Sequence, residues 1–117
     1  MINSRNKGNT FEREIAIEYR GLWFKDCLTA RDWSWKKVDD SWIDIIWIPM
    51  FNIQCKSYTN LSVGKVLEVL GTMPSKNWNI NILHAKITRK WQCVTMSKKD
   101  FYEIIQLLIK ENLIKIN

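Results

Sequence analysis

The sequence predicts an α/β domain in which a mixed sheet is flanked by helices, in the order α-β-β-β-α-β-β-α. Two observations predict this class. Three segments repeat apolar residues at the spacing of an amphipathic helix, and five shorter runs have the composition of strands. The chain has 117 residues, of which 46% are hydrophobic, and no Pro/Gly-rich linker divides it. We therefore predict a single domain over residues 1–117.

The first half of the chain is predicted to form a helix at residues 10–22 and strands at residues 23–31, 42–48 and 51–58. The helix places large apolar side chains on one face, namely Phe11, Ile15, Tyr19 and Leu22. Gly21 helps to end it. The second and third strands are rich in isoleucine, and Pro49 forces the break between them. The tryptophans on these strands are expected to pack in the core or in an interface.

The second half is predicted to form a helix at residues 61–73, strands at 79–87 and 91–96, and a final helix at 97–113. The first of these helices carries Val63, Val66, Leu67 and Leu70 on one face. The final helix begins with a capping box that runs from Ser97 to Asp100, which is a local signal for a helix start.

The charge balance favours a nucleic-acid partner. Eighteen Lys and Arg residues against twelve Asp and Glu residues give a net charge of +6. Solubility alone would also explain such a charge, but the basic residues are clustered. They lie near the start (Arg5, Lys7, Arg13), before the second predicted strand (Arg31, Lys36, Lys37) and late in the chain (Lys86, Arg89, Lys90).

Other classes of protein are disfavoured by the composition. No apolar stretch approaches the ~20 residues of a membrane-spanning helix, and the polar start MINSRNKGNTFERE lacks a signal peptide. We therefore expect a cytoplasmic protein that does not bind a membrane. Three widely spaced cysteines and one histidine do not provide zinc-ligand spacing. Reduced, mostly buried thiols are the expectation.

Three polar residues interrupt the apolar hairpin IDIIWIPMFNIQCKS. Gln54 and Lys56, two residues apart, project from one face of their strand. A reversal centred on Pro49 and Met50 makes paired residue numbers sum to about 99, and a turn over residues 49–52 makes them sum to about 101. The first register sets Asp44 opposite Cys55 and the second sets it opposite Ser57. In both registers Asp44 lies beside Lys56, so the three groups converge.

Such a convergence suits phosphodiester hydrolysis. Mg²⁺ prefers oxygen ligands and takes one or two carboxylates together with water, and we expect Mn²⁺ to substitute for it. Asp44, the Gln54 side-chain oxygen and the Cys55 backbone carbonyl are candidate ligands, with Lys56 as the catalytic helper. A plainer reading is a strand end that reaches water.

A further carboxylate is expected from the first helix, which offers Glu12, Glu14 and Glu18. On a helical wheel Glu12 falls at the edge of the apolar stripe in the first turn, so geometry favours it. An acidic residue in a first turn is also favoured by the helix dipole in any protein.

Three segments, KGNTFEREIA, IDII and IQCKS, together resemble the PD-(D/E)xK nuclease superfamily, and most closely the archaeal-type Holliday junction resolvases. The resemblance covers roughly residues 5–58. It implies a restriction-endonuclease-like fold, metal ligands at Glu12, Asp44 and Gln54, and Lys56 as the catalytic lysine. It implies phosphate contacts, more loosely, from Arg31 and Ser34. It also implies a homodimer that cuts opposing strands of a four-way DNA junction.

Two positions depart from the resolvase pattern. Ile43 replaces a proline before the aspartate, and Gln54 replaces an acidic ligand. Mrr-type restriction nucleases resemble this chain in having Gln-x-Lys there. Two alternatives therefore stay open: a restriction or repair nuclease that acts on duplex or flapped DNA, and an inactive nucleic-acid-binding protein of the same fold.

Overall fold

The computed structural model describes residues 4–33, 43–73 and 79–116, which form an α/β unit with a five-stranded mixed sheet. The helices are α1 (Ser4–Gly21), α2 (Ala30–Trp33), α3 (Val63–Thr72) and α4 (Lys98–Lys110). The strands are β1 (Leu28–Thr29), β2 (Ile45–Ile46), β3 (Phe51–Tyr58), β4 (Ile80–Ile87) and β5 (Trp91–Thr95).

The sheet has the strand order β1-β2-β3-β4-β5. Only β3 and β4 are parallel, and their register runs from Phe51 opposite Ile80 to Tyr58 opposite Ile87. The other neighbouring pairs are antiparallel. A parallel pair needs a crossover connection, which here contains α3. The predicted class, a mixed sheet flanked by helices, is therefore confirmed.

The predicted element order is confirmed with one addition, the short helix α2 between β1 and β2. Both α3 and α4 lie within their predicted ranges, and the Ser97 side chain accepts a hydrogen bond from the Asp100 backbone amide as the capping box requires. Helix α1 starts earlier than predicted. The early start follows from the polar segment before Phe11, which continues the helix without contributing to its apolar stripe.

The predicted strands at 23–31 and 42–48 are mostly wrong, because only two of the described residues in each range are strand. Trp23 has a φ of 97° and Trp47 a φ of 65°, which an extended strand does not allow. The amides of Leu22 and Phe24 donate back to carbonyls of α1, so the chain is still closing the helix there. Both tryptophan side chains are exposed rather than packed in the core.

The core lies between α1 and one face of the sheet. Helix α1 contributes Phe11, Ile15 and Ala16, and the strands contribute mainly isoleucines, among them Ile45, Ile53, Ile80 and Ile82. β-branched side chains pack well on a pleated surface, which explains why the isoleucine-rich runs became the central strands. No helix of the described residues is long and apolar enough to cross a bilayer.

Candidate functional site

Asp44 is fixed at the edge of β3 by three hydrogen bonds. Its backbone amide donates to the Ile53 carbonyl at 2.7 Å, and its carbonyl accepts from the Ala30 amide at 2.7 Å. Its carboxylate accepts from the backbone amide of Cys55 at 2.8 Å. Because β2 begins only at Ile45, the Asp44 carboxylate accepts the hydrogen bond that a backbone carbonyl of a longer β2 would accept from β3. A side chain held this way needs little reorganisation to bind a ligand.

The hairpin register differs from both predicted registers. Ile45 pairs with Ile53, so paired residue numbers sum to 98 rather than 99 or 101. Asp44, just before β2, bonds to Ile53 through its amide and to Cys55 through its carboxylate. The predicted pairings with Cys55 and Ser57 are therefore wrong for the backbone. The reversal is centred on Pro49, and the left-handed conformation of Trp47 and Met50 on either side of it allows the tighter turn.

The Cys55 thiol lies in the electrostatic field of several carboxylates. Burial raises the pKa of the Cys55 thiol, and the nearby carboxylates of Asp44, Glu12 and Glu18 raise it further. The thiol therefore stays protonated and does not act as a nucleophile. In a strand, the carbonyl of a residue leaves the same edge as its amide. The Cys55 carbonyl is thus directed toward the edge at which its amide meets the Asp44 carboxylate.

The structure distinguishes the three glutamates of α1 by burial. Glu12 is only 5% exposed and lies among core residues. Glu14 is half-buried and its carboxylate lies 3.8 Å from the Lys86 ammonium, while Glu18 is exposed. A carboxylate as buried as Glu12 is costly to keep ionised unless a cation or hydrogen-bond donors compensate it. Glu12 therefore stands apart from the other two as a candidate ligand.

Gln54 and Lys56 project from the opposite face of β3 to Cys55. Cys55 pairs with His84, which reaches α1 through Tyr19, so the Cys55 side chain faces α1. Gln54 and Lys56 alternate with it and face away from α1. Asp44 contacts β3 through the backbone of Ile53 and Cys55. The structure thus places the Cys55 side chain on the side of β3 that faces α1, and Gln54 and Lys56 on the opposite side.

The Gln54 side chain has an unusual hydrogen-bonding state. It is 4% exposed, and its Oε1 has no hydrogen-bond partner within the described part of the chain. A buried acceptor without a partner costs roughly 1–3 kcal/mol, so natural proteins rarely leave one unused. An amide oxygen in this state is suited to accept a donor or to contact a cation.

The structure describes only some of the residues that are predicted to contact DNA. Arg5 and Lys7 lie in the first turns of α1, and Arg31 lies in α2. The Arg13 guanidinium is exposed and lies 3.5 Å from the Asp32 carboxylate, which holds it beside α2. Ser34, Lys36 and Lys37 lie outside the described residues.

Three hydrogen bonds between side chains were not anticipated from the sequence. Tyr19 Oη lies 2.6 Å from His84 Nε2, which gives His84 a partner 65 positions away. Burial raises the pKa of Tyr19 to about 12 and lowers the pKa of His84, so a phenol and an imidazole that are both neutral at pH 7 share this hydrogen bond. In addition, the Asn52 amide donates to Asn81 Oδ1 at 2.8 Å and its oxygen accepts from Asn79 at 3.2 Å.

Several oxygen atoms near Asp44 are of the kinds that bind a divalent cation. Within residues 4–33, 43–73 and 79–116 no group of three or more His, Cys, Asp or Glu side chains could hold a metal ion. Mg²⁺ needs no such group, since one or two carboxylates with neutral oxygens and water are sufficient. Glu12, Asp44, the Cys55 carbonyl and the Gln54 oxygen fit Mg²⁺ in type and number, but the Gln54 side chain projects from the opposite face of β3 to that of Cys55.

Searches with protein-family models, among characterised proteins and among solved structures found no match to this chain.

Proposed function

We propose that this protein is a divalent-metal-dependent endonuclease of the PD-(D/E)xK type that cuts branched DNA, with Mg²⁺ as the natural metal. The proposal is supported mainly by the arrangement of carboxylates at the edge of β3. A carboxylate fixed by the Cys55 amide, Asp44, lies there, and the buried Glu12 of α1 is one of the carboxylates that raise the pKa of the Cys55 thiol. The order of the elements and the net charge of +6 agree with a restriction-endonuclease-like fold that binds DNA.

Each residue would have a distinct role in cleavage. Asp44 and Glu12 would hold the cation, and the carbonyl of Cys55 and the amide oxygen of Gln54 would complete the protein ligands. Bound Mg²⁺ polarises a phosphate and lowers the pKa of a water ligand. The Lys56 ammonium would orient the attacking water and stabilise charge that develops on the phosphate. The hydrogen bond from the Cys55 amide to Asp44 keeps that carboxylate in place throughout.

The test compares cleavage of labelled four-way junction, duplex and single strand in Mg²⁺, Mn²⁺ and EDTA. We expect metal-dependent cutting of the junction that Glu12→Gln abolishes. Glu18→Gln is the matched control, since it removes an exposed carboxylate from the same helix. Equal activity of the two variants would contradict the proposed ligands, and cleavage of duplex at the same rate would favour the restriction or repair alternative.

Resolution of a junction also predicts the assembly. A junction is resolved by cuts on two opposing strands, so one site per chain requires two chains related by a two-fold axis. Light scattering should therefore find a dimer when a junction is bound, and a junction in a supercoiled cruciform should be cut on both strands. A monomer that only nicks would contradict the resolvase-like function and leave a simpler nuclease.

One observation favours an inactive DNA-binding protein as the second candidate. Gln54 brings no charge to the site, and it projects from the opposite face of β3 to Cys55. A site with two carboxylates binds Mg²⁺ more weakly than one with three. Tight junction binding without cleavage in either metal would identify this second function.

A further inference from the structure

A small pocket opens at the tip of the β2–β3 hairpin, next to the candidate site. Its volume is about 300 Å³, which is at the lower end of the range for small-molecule sites. Isoleucines and aromatic residues form most of its wall, including Ile43, Ile46, Trp47 and Phe51, and Asn52 and Asn79 provide the polar part. None of the described residues that line it is charged. The pocket therefore suits a neutral, mostly apolar group with a polar edge.

The polar part of the pocket is held in a fixed orientation. Asn52 is 2% exposed and bridges its two neighbours, donating to Asn81 and accepting from Asn79. Asn79 donates one N–H of its side-chain amide to Asn52 and is itself exposed. Its Oδ1 and second N–H make no other hydrogen bond within the described part of the chain. They form an adjacent acceptor and donor, which is the pattern with which an asparagine amide binds the edge of adenine.

The aromatic part of the pocket is placed by an unfavourable backbone. Trp47 is 55% exposed and has a φ of 65°, a conformation that costs a non-glycine residue of order 1 kcal/mol or more. Met50, in the same hairpin, has a φ of 74°. Two such residues in one turn keep the indole out of the core and at the mouth of the pocket. An exposed indole beside an apolar pocket is a platform on which a planar ring can stack.

The pocket adjoins the residues proposed for cleavage. Ile43 precedes Asp44 directly, and Asn52 lies two residues before Gln54 on the same face of β3. This spacing corresponds to about 7 Å along the strand. A group in the pocket would therefore lie next to the candidate site, two residues along β3 from Gln54.

We propose that the pocket binds one unpaired nucleobase, with Trp47 stacking on its face and the Asn79 amide bonded to its edge. The nucleotide concerned is one displaced from the stack next to the phosphate that is cut. The proposal rests on the proposed function for the identity of the ligand, because the net charge and the neighbouring site are what select DNA. It adds a preference for substrates with unpaired bases, and adenine is the base whose edge the amide fits best.

The test measures binding in EDTA, so that cleavage plays no part. A short single strand carries one 2-aminopurine, and stacking on an indole quenches its fluorescence. We expect quenching by the wild-type protein. Trp47→Gly should reduce the quenching and weaken binding between about fivefold and about 150-fold, the range for loss of one stacked base. Glycine also removes the backbone cost at this position, so the variant should fold.

Trp23→Gly is the matched control, because Trp23 is also exposed and has a positive φ but lies at the end of α1. It should bind like the wild type. Asn79→Ala should reduce the preference for adenine over other bases at this position, measured by competition with unlabelled strands because 2-aminopurine lacks the 6-amino group of adenine. An abasic site at that position should weaken binding to the wild type but not to Trp47→Gly.

The outcomes separate the pocket from the cleavage function. Quenching that Trp47→Gly removes, with no cleavage in any metal, would support the pocket and contradict the nuclease. Cleavage with equal quenching by Trp47→Gly, Trp23→Gly and wild type would overturn the pocket and leave the nuclease in place. Absence of both quenching and cleavage would overturn both.

Discussion

Replacing Asp44 in two ways should separate its structural role from its chemical one. The carboxylate accepts a hydrogen bond from the Cys55 amide at 2.8 Å, and Cys55 is buried. A hydrogen bond to a charged group contributes about 1.5–3 kcal/mol. Asp44→Ala removes the acceptor and leaves the amide without it, so we expect a loss of about 2 kcal/mol. For a domain of this size that corresponds to a fall in Tm of about 8 °C.

Asp44→Asn keeps an oxygen where the carboxylate oxygen lies but removes the charge. A neutral hydrogen bond still contributes about 1 kcal/mol, so this variant should recover roughly half of the lost stability. A hard cation prefers a charged oxygen ligand, so cleavage should nevertheless fall at least ~10²-fold, as in Asp44→Ala. Urea denaturation followed by circular dichroism gives the stabilities, and the labelled junction gives the rates.

Asp26→Asn is the matched control, since Asp26 is exposed in the turn before β1. It should change neither stability nor cleavage. If Asp44→Asn were as unstable as Asp44→Ala, the hydrogen bond to Cys55 would not be what holds this edge together. If Asp44→Asn cut DNA at the wild-type rate, Asp44 would not be a ligand. Junction binding by all three variants should stay within a few-fold of wild type.

Three further predictions concern Gln54, the Tyr19–His84 pair and the two lysines Lys36 and Lys37. Gln54→Glu should lower the Mg²⁺ concentration for half-maximal cleavage, and because it buries a charge it should lower stability in EDTA and recover it in Mg²⁺; an unchanged metal requirement would mean that Gln54 is not a ligand. Burial lowers the pKa of His84, so below about pH 6.5 the unfolded chain takes up a proton that the folded chain does not. Stability should therefore decrease as the pH is lowered from about 6.5, until the folded imidazole also takes up a proton. In urea denaturation, His84→Gln should reduce this dependence of stability on pH, whereas Tyr19→Phe, which removes the hydroxyl bonded to His84, should cost about 1 kcal/mol at neutral pH. Replacing Lys36 and Lys37 with Ala should reduce the slope of log affinity against log salt by up to ~2, and a wild-type slope would place both lysines away from DNA.

Local sequence patterns determined most of the elements. The helix at Val63–Thr72, the long strands β3, β4 and β5, and the capped final helix follow from periodicity, β-branched composition and the Ser97 cap. These signals depend on neighbours within one or two turns, so they can be read without the fold. The choice of Asp44, Gln54 and Lys56 as candidates had the same basis, since polar residues stand out in apolar runs.

Tertiary structure decided what the local patterns left open. Whether Leu22 to Ala30 continues as a strand depended on backbone bonds back to α1, and the hairpin register depended on left-handed residues on both sides of Pro49. Neither has a signal in residue type, because tryptophan and methionine rarely adopt a positive φ. A shift of one residue changes which side chains face each other. The observed register sets Ile45 opposite Ile53 and leaves Asp44 bonded to Ile53 and Cys55.

The polar contacts of the sheet also depended on the fold alone. Tyr19 and His84 are 65 positions apart, and the Asn52 bridge joins two strands that are parallel only because a helix crosses between them. Burial distinguished Glu12 from Glu14 and Glu18, which a helical wheel had separated only narrowly. A sequence specifies which groups are available for chemistry. Which of them are desolvated, and which face each other, depends on how distant segments pack, and local periodicity carries no information about that packing.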